Sequence, residues 1–555
     1  MRRFVGLVAA LAVAGGLTAC APAVPRTGTA SAPVATGAAD FLVFYADGAQ
    51  DAARAAIQRA GGTALGAEPK LGYLLASGPG DAFVDALDGD PAVAGVTGDR
   101  LIGAVTAARW TGTEATRPAT ALHALPATTA RPATAGRTAM PDVSGMAGAA
   151  AEPLAKRQWD MRMIGADRAN TRAPGTKKVL VGVIDTGVDG KHPDLAPNFN
   201  RALSRNFVTD IPKDREGQEV DGACEVKSCK DPADVDDDGH GTHVASTIAS
   251  PINGVGIAGV APGVQIVNIR AGQDSGFFFL KPSLDALTYA ADIGVDVVNM
   301  SFYIDPWLFN CTANKSDSKK QRQQQRAVRT GMQRALDYAH AKGVTLISAL
   351  GNESMDLGRP TVDTASPNYP RGSERTRGID NSCLNLPAEG KHVISVSALD
   401  PAGRKASYSN YGLEQADLSA PGGDGGGLST TRSILAAAPE NALRADRKLD
   451  SSGEPTTSEV IRDCTPGDCS YYQYLDGTSM AAPHATGVAA ILISRFGKPG
   501  KGGVRMDPGK VAKLLYATAT PKACPAVRAC EGGKSRNGFY GRGVVDALKA
   551  ATVKP

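Results

Sequence analysis

No stretch of this 555-residue chain is apolar enough to cross a bilayer permanently. A spanning helix takes about 20 residues, and the apolar N-terminal run, residues 4–17, holds fourteen. Net charge is equally scarce. The 60 Lys and Arg against 56 Asp and Glu give a formal +4, too little for binding nucleic acid through bulk charge, and no nucleic-acid partner is expected. Disorder throughout is excluded by 42% hydrophobic and only 21% charged residues, which supply apolar material for large cores. The length exceeds what one core organises, so two or more folded parts joined by linkers are expected. The 64 Gly and 35 Pro point to a loop-rich protein or extended linkers.

Arg2 and Arg3 precede the apolar run, and Leu17-Thr18-Ala19-Cys20 follows it, the layout of a secretory signal. The last four residues resemble the bacterial lipobox. That resemblance implies removal of residues 1–19, lipid on Cys20, export, and anchoring on the outer side of the cell membrane. An ordinary signal peptide with a chance cysteine is the alternative. Setting Cys20 aside leaves eight cysteines, an even number suited to a disulfide-bonded exported protein. Cys224 and Cys229, Cys464 and Cys469, and Cys524 and Cys530 are close in sequence, which leaves Cys311 and Cys383 for a long-range bridge. The connectivity stays open, and a zinc site of Cys224, Cys229, Cys464 and Cys469 competes with the bridges.

A tether over residues 20–39 leads to a small unit, residues 40–103. Strand-like and helical runs there follow a β-α-β-β-α-β order, a ferredoxin-like pattern. This unit holds nine acidic and four basic residues, a net −5, whereas the chain from Arg157 onward carries +4; the two parts can attract each other. Residues 104–151 contain sixteen Ala, nine Thr, four Pro and four Gly, which reads as a flexible linker extending to residue 156. From residue 157 to 555, apolar β-type runs at 179–184, 264–269, 295–300, 344–350 and 393–398 alternate with helical stretches. Continuous apolar runs of this kind are buried parallel strands, so the large domain is expected to be α/β, a mostly parallel sheet between two layers of helices.

Three motifs carry the chemistry: Asp185-Thr186-Gly187 at a strand end, His240-Gly241-Thr242-His243 after an acidic loop, and Gly477-Thr478-Ser479-Met480-Ala481-Ala482-Pro483-His484 opening a helix. A serine hydroxyl is a poor nucleophile at neutral pH. It needs an imidazole to take its proton and a buried carboxylate to hold that imidazole, and these motifs supply one of each. On these motifs the chain resembles the subtilisin-like serine proteases, the subtilases, from residue 157 to 550. The resemblance implies a three-layer subtilisin-like fold and a serine endopeptidase. In it Asp185 orients, His240 acts as base then acid, and Ser479 forms an acyl-enzyme. The order Asp, His, Ser separates it from α/β-hydrolases and chymotrypsin-like proteases, and Gly477-Thr478-Ser479-Met480-Ala481 lacks the Gly-x-Ser-x-Gly elbow of an esterase.

The same resemblance makes Asn352, in the segment 348–353, the oxyanion donor, with the Ser479 backbone N–H as the second. Substrate is expected to lie extended beside residues 271–276 and 299–303, adding a strand. Gly276, Ser301, Phe302, Tyr303, Ala349, Leu350 and Gly351 are then its contacts. Tyr303 stands where the family commonly has glycine and is expected to narrow the pocket wall. The unit 40–103 becomes an inhibitory, fold-assisting propeptide, and protein or peptide substrates are the other partners. Structural calcium, the only cofactor implied, falls to Asp194 and Asn253 with the carbonyls of Pro251, Val255 and Ile257; the ligand from the N-terminal segment cannot be placed.

Several other patterns carry less. Asp234, Asp236 and Asp238-Gly239 imitate an EF-hand start, but position twelve is Ala245, where a bidentate Glu is required. Residues 254–259 satisfy Gly-x-Gly-x-x-Gly, yet follow a helix and lead into a strand, the reverse of a dinucleotide fold. The basic, glutamine-rich run from Lys319 in the inserted segment 304–334 reads as a solvated helix face. A catalytically silent scaffold lipoprotein is the rival reading; it would be expected to have lost one of Asp185, His240, Ser479 or Asn352, and all are present.

Overall fold

The computed structural model describes residues 39–98, 151–214, 217–425 and 430–554. Cys20, nearly all of the tether and most of the 104–156 linker lie outside them. The described residues belong to one compact unit. Its first part is β1 (Ala39–Tyr45), α1 (Gln50–Arg59), β2 (Thr63–Glu68), β3 (Tyr73–Gly78), α2 (Asp81–Leu87) and β4 (Val93–Gly98). The antiparallel sheet has the order β2-β3-β1-β4. One face packs α1 and α2 through Ile57, Phe83, Val84 and Leu87. The strand β2 has no run in the sequence analysis because it is a sheet edge on which exposed and half-buried residues alternate.

The large domain is built on a seven-stranded sheet. Its strands are β5 (Leu180–Ile184), β6 (Arg205–Asn206), β7 (Gln265–Arg270), β8 (Val297–Met300), β9 (Thr345–Ala349), β10 (Val393–Leu399) and β11 (Leu418–Pro421). All its pairings are parallel, in the order β11-β10-β9-β8-β5-β7-β6. The central strands are buried throughout, which is why they read as unbroken apolar runs. The helices α3 (His240–Ala249) and α6 (Thr478–Phe496) cover one face, and α4 (Leu280–Ile293) and α5 (Lys319–Ala341) the other. The fold is thus the expected α/β arrangement.

Two inserted segments form ordered structure. Within residues 424–474, β12 (Ile434–Ala437), β13 (Val460–Asp463) and β14 (Ser470–Leu475) make an antiparallel sheet in the order β12-β14-β13. It backs α3: the Ala437 N–H donates to Ser246 Oγ at 3.0 Å, and Tyr472 and Tyr474 are fully buried. The inserted segment 304–334 runs into α5, whose start is closed by a capping box of Ser318 and Gln321. The basic face of α5 is not solvated, as composition suggests, but receives the N-terminal unit.

That contact is close. Leu42, Phe44, Leu71 and Tyr73 share one apolar cluster with Leu284, Val328 and Met332. Glycines permit the approach: a Cβ on Gly331 would stand 2.6 Å from the Phe44 ring, and one on Gly95 2.6 Å from the Ala327 backbone nitrogen. Charge flanks the seam. Arg334 donates to the carbonyls of Tyr45, Leu71 and Gly72 and to Asp47, Arg326 pairs with Asp88 at 2.8 Å, Lys70 with Asp292 at 2.7 Å, and Lys320 with Asp81.

Residues 151–156, assigned by composition to the linker, are folded onto the large domain. Leu154 lies in its main core and its N–H donates to Gly256 O at 2.7 Å. The cysteines pair as Cys224–Cys229, Cys311–Cys383, Cys464–Cys469 and Cys524–Cys530.

Candidate active site

Asp185 follows β5 immediately and is fully buried. Its Oδ1 accepts from Thr186 N at 2.8 Å and faces His240 Nδ1 at 2.7 Å, while Oδ2 has no partner. His240 is the first residue of α3, set there by Asp236, which accepts from Gly239 N at 3.0 Å and from Thr242 N at 2.9 Å. The glycines of the two motifs have a steric cause. A Cβ on Gly241 would stand 2.1 Å from the Gly187 carbonyl oxygen and 2.9 Å from the Asp185 Cβ, so any side chain there drives helix and strand end apart. Burial alone would lower the His240 pKa. The Asp185 carboxylate, joined by Asp238 and Asp236, outweighs it and raises the pKa to about 9. Asp238, which accepts the His240 N–H at 3.0 Å, is itself pushed up to about 7 by burial and by Asp236.

Ser479 sits in the first turn of α6, where free N–H groups and the helix dipole favour negative charge. Pro483, four residues on, has no N–H, so the Ser479 carbonyl lacks its usual helical donor. Ser301 Oγ takes that place at 3.1 Å, and in return Ser479 Oγ donates to Ser301 O at 3.2 Å. Ser301 is held by Asn299 Nδ2 at 2.8 Å, and Asn299 by Thr486 Oγ1 at 2.9 Å. Among the described residues no hydrogen bond joins Ser479 to His240; such contacts commonly tighten only when substrate binds.

Asn352 Oδ1 accepts from Thr478 N and from Thr478 Oγ1, both at 2.9 Å. The amide is thereby oriented with its donor side away from Thr478. The turn that presents it needs Gly351, whose φ is +107° and whose Cβ would stand 2.4 Å from Asn410 Nδ2. Asn410 Oδ1 then accepts the Glu353 and Met355 N–H groups. Sequence reasoning missed Asn410, which carries no local signal and acts only through the fold.

The expected substrate contacts divide. Gly276 lies beside Asp238, 3.8 Å from a Cβ placed on it to Asp238 Oδ2, and Ser301, Ala349, Leu350 and Gly351 are gathered by the contacts above or by β9. Phe302 is buried, its ring stacked on that of Phe278 at 4.3 Å. Tyr303 packs against the cluster that holds Leu308, Leu350 and Leu357, and its hydroxyl accepts from Asn368 Nδ2 at 2.8 Å. Residues 271–276 form no strand, since Gly276 N turns back to Gln273 O at 2.9 Å.

The expected calcium residues also converge. Asp194 is fully buried; its Oδ2 accepts from Ile257 N at 3.0 Å and Tyr472 OH at 3.2 Å, and Oδ1 has no partner. Asn253 Oδ1 accepts from Val255 N at 3.0 Å. Glu152, buried beside them with Oε1 on Gly254 N and Oε2 unpartnered, stands in the N-terminal segment of the large domain, from which sequence reasoning left one ligand unplaced. Two buried, bare carboxylate oxygens fit a hard cation. His243 is structural: its Nε2 lies 3.0 Å from Ile434 O, and burial lowers its pKa to about 3.

The model of the subtilase family matches residues 176–543. Fervidolysin of Fervidobacterium pennivorans is 29% identical over 380 residues, 66% of this chain but 41% of its own length. Subtilisin DY of Bacillus licheniformis is 26% identical over 389 residues, 70% of this chain and 96% of its own. The crystal structure of the epidermin leader peptide-processing serine protease of Staphylococcus aureus shares the fold with a TM-score of 0.58 at 21% identity, covering 93% of this chain and 98% of that one. The chain belongs to the subtilase family.

Proposed function

We propose that this chain is an exported serine endopeptidase made as a zymogen. The observation that carries the reading is the 2.7 Å contact of buried Asp185 with His240 Nδ1, which leaves Nε2 as the base for Ser479 at the head of α6. Ser479 Oγ attacks the scissile carbonyl while His240 takes its proton. The Asn352 amide and the Ser479 N–H receive the oxyanion, and His240 returns the proton to the leaving amine. Water then hydrolyses the acyl-enzyme by the same route. The test is intact mass after exposure to a fluorophosphonate. A single adduct that is lost in the Ser479→Ala chain, with cleavage in the linker, is expected. A chain neither labelled nor cleaved, before or after trypsin, supports the scaffold reading instead.

Residues 40–103 are the inhibitory propeptide in this reading, supported by their opposite charge and by the seat of their described part on α5. Replacing Arg334 with alanine removes the donor to three carbonyls and Asp47. It should weaken retention of the cleaved fragment by about 2 kcal/mol, roughly 30-fold, measured as fragment co-eluting with the processed enzyme. Lipid on Cys20, upstream of the linker, would make maturation also release the enzyme from the membrane. Calcium would be held by Asp194 and Glu152 with Asn253 and the carbonyls of Pro251, Val255 and Ile257, fastening the 251–257 loop.

Two predictions concern rate. Asn352→Ala should lower kcat about 10²- to 10³-fold with little change in KM, the scale known for the corresponding donor in subtilisin. Only neutral His240 accepts a proton, so with its pKa raised to about 9 kcat/KM should climb as pH rises above 6.5. Asp238→Asn removes one charge that holds the proton on, and should move that rising limb to lower pH. A limb unmoved by D238N would show that Asp238 does not act on His240.

A further inference from the structure

A second acidic centre lies outside the site described above. Asp210, Asp231 and Asp274 are buried, Glu225 is exposed, and one carboxylate oxygen of each lies within 4.8 Å of the others. They come from separate parts of the chain. Asp210 lies on the loop after β6, and Glu225 on the turn closed by Cys224–Cys229. Asp231 follows that turn, and Asp274 lies in the 271–276 segment beside the catalytic residues. One cation is present. Arg270 donates from Nη1 to Asp231 Oδ2 at 2.8 Å and from Nη2 to Asp274 Oδ1 at 2.5 Å, and reaches Asp210 Oδ1 at 3.5 Å.

Arg270 does not satisfy the group. Asp210 Oδ2 and Asp274 Oδ2 are buried without any hydrogen-bond partner, although both residues are at most 2% exposed. Neighbouring Asp221, equally buried, shows how this fold treats a carboxylate meant to stand alone: Oδ1 receives Ser275 N and Oγ, and Oδ2 receives Ile211 N. Three buried carboxylates against one guanidinium leave two negative charges in excess, and burying such an excess is costly unless a cation or further donors meet it. The donor set is all oxygen, which suits a hard ion and not zinc. Oxygens on opposite sides of Ca²⁺, at about 2.3–2.6 Å each, stand up to about 5 Å apart, and Mg²⁺ gathers them more tightly.

We propose that Asp210, Glu225, Asp231 and Asp274 form a Ca²⁺ site, separate from the one at Asp194, that ties the Cys224–Cys229 turn to the substrate-flanking segment 271–276. Ala271 N and Gly272 N both donate to the Asp185 carbonyl at 3.0 Å, so the ion would fix a segment that also touches the catalytic strand end. The binding itself is independent of whether the enzyme is active.

The test is equilibrium dialysis of ⁴⁵Ca²⁺ against the full-length Ser479→Ala chain after stripping with chelator, which avoids self-digestion. Asp210→Asn and Glu225→Gln should each lose one bound Ca²⁺ per chain, or raise its Kd at least tenfold, whereas Asp194→Asn should keep it. Ca²⁺ should also slow limited proteolysis between residues 210 and 231 in the parent and not in Glu225→Gln. Because Glu225 is exposed, its glutamine variant decides the matter even if Asp210→Asn fails to fold. Unchanged stoichiometry and affinity in Glu225→Gln, or no Ca²⁺ bound by the Asp194→Asn chain, would overturn the proposal.

Discussion

The Ser479→Ala chain should lose peptide hydrolysis by about 10⁶-fold in kcat, the scale known for loss of the nucleophile in subtilisin. The alanine removes the attacking oxygen and its hydrogen bond to Ser301 O, while the reciprocal bond from Ser301 Oγ to the residue-479 carbonyl survives. Folding should therefore be little affected, and the change in rate can be read as chemistry. The precursor should keep its full mass, and where Cys20 carries lipid it should stay in the membrane fraction while the active chain is released. An alanine chain that still matured in purified form would sink the reading of Ser479 as nucleophile.

Asp185→Asn should cost about 10⁴-fold in kcat. The shape is kept, but an amide presenting its NH₂ to His240 forces the other imidazole tautomer, placing the proton on the nitrogen that must accept one from Ser479. The acidic limb of the pH profile should fall at the same time, because the largest charge holding His240 near pKa 9 is gone. Unaltered kcat together with an unaltered limb would mean that Asp185 does not act on His240. A loss of kcat without a shifted limb would assign Asp185 to geometry alone.

Much of the site was legible because each motif is local and its neighbours in sequence do the positioning. Asp185 ends an apolar strand, His240 starts a helix capped four residues earlier by Asp236, and Ser479 is followed at the fourth place by the proline that frees its carbonyl. What the sequence hid is long-range. Asn410 and Glu152 support their partners from more than 55 residues away, and no periodicity marks them. Phe302, expected beside substrate, stacks its ring on Phe278 past the end of β8, where the chain is no longer a strand. The buried glutamines of α5, Gln323 and Gln325, look solvated by composition. Their burial depends on a domain some 230 residues upstream, with Gln323 bonded to Asp88, and on Gln325 reaching Cys311 N and Asp317.

The seam between residues 39–98 and α5 has a cost once it opens. Ala327, Val328, Gly331 and Met332, which the N-terminal unit helps to bury, would become a water-facing strip, rimmed by Lys320, Arg326 and Arg334. An enzyme stripped of this unit would therefore be the less soluble partner of the pair, with a tacky ridge on α5, while the departing unit carries off the acidic counterpart. Concentrated preparations of the separated large domain should self-associate through that ridge, and added salt should strengthen the tendency by screening the basic rim.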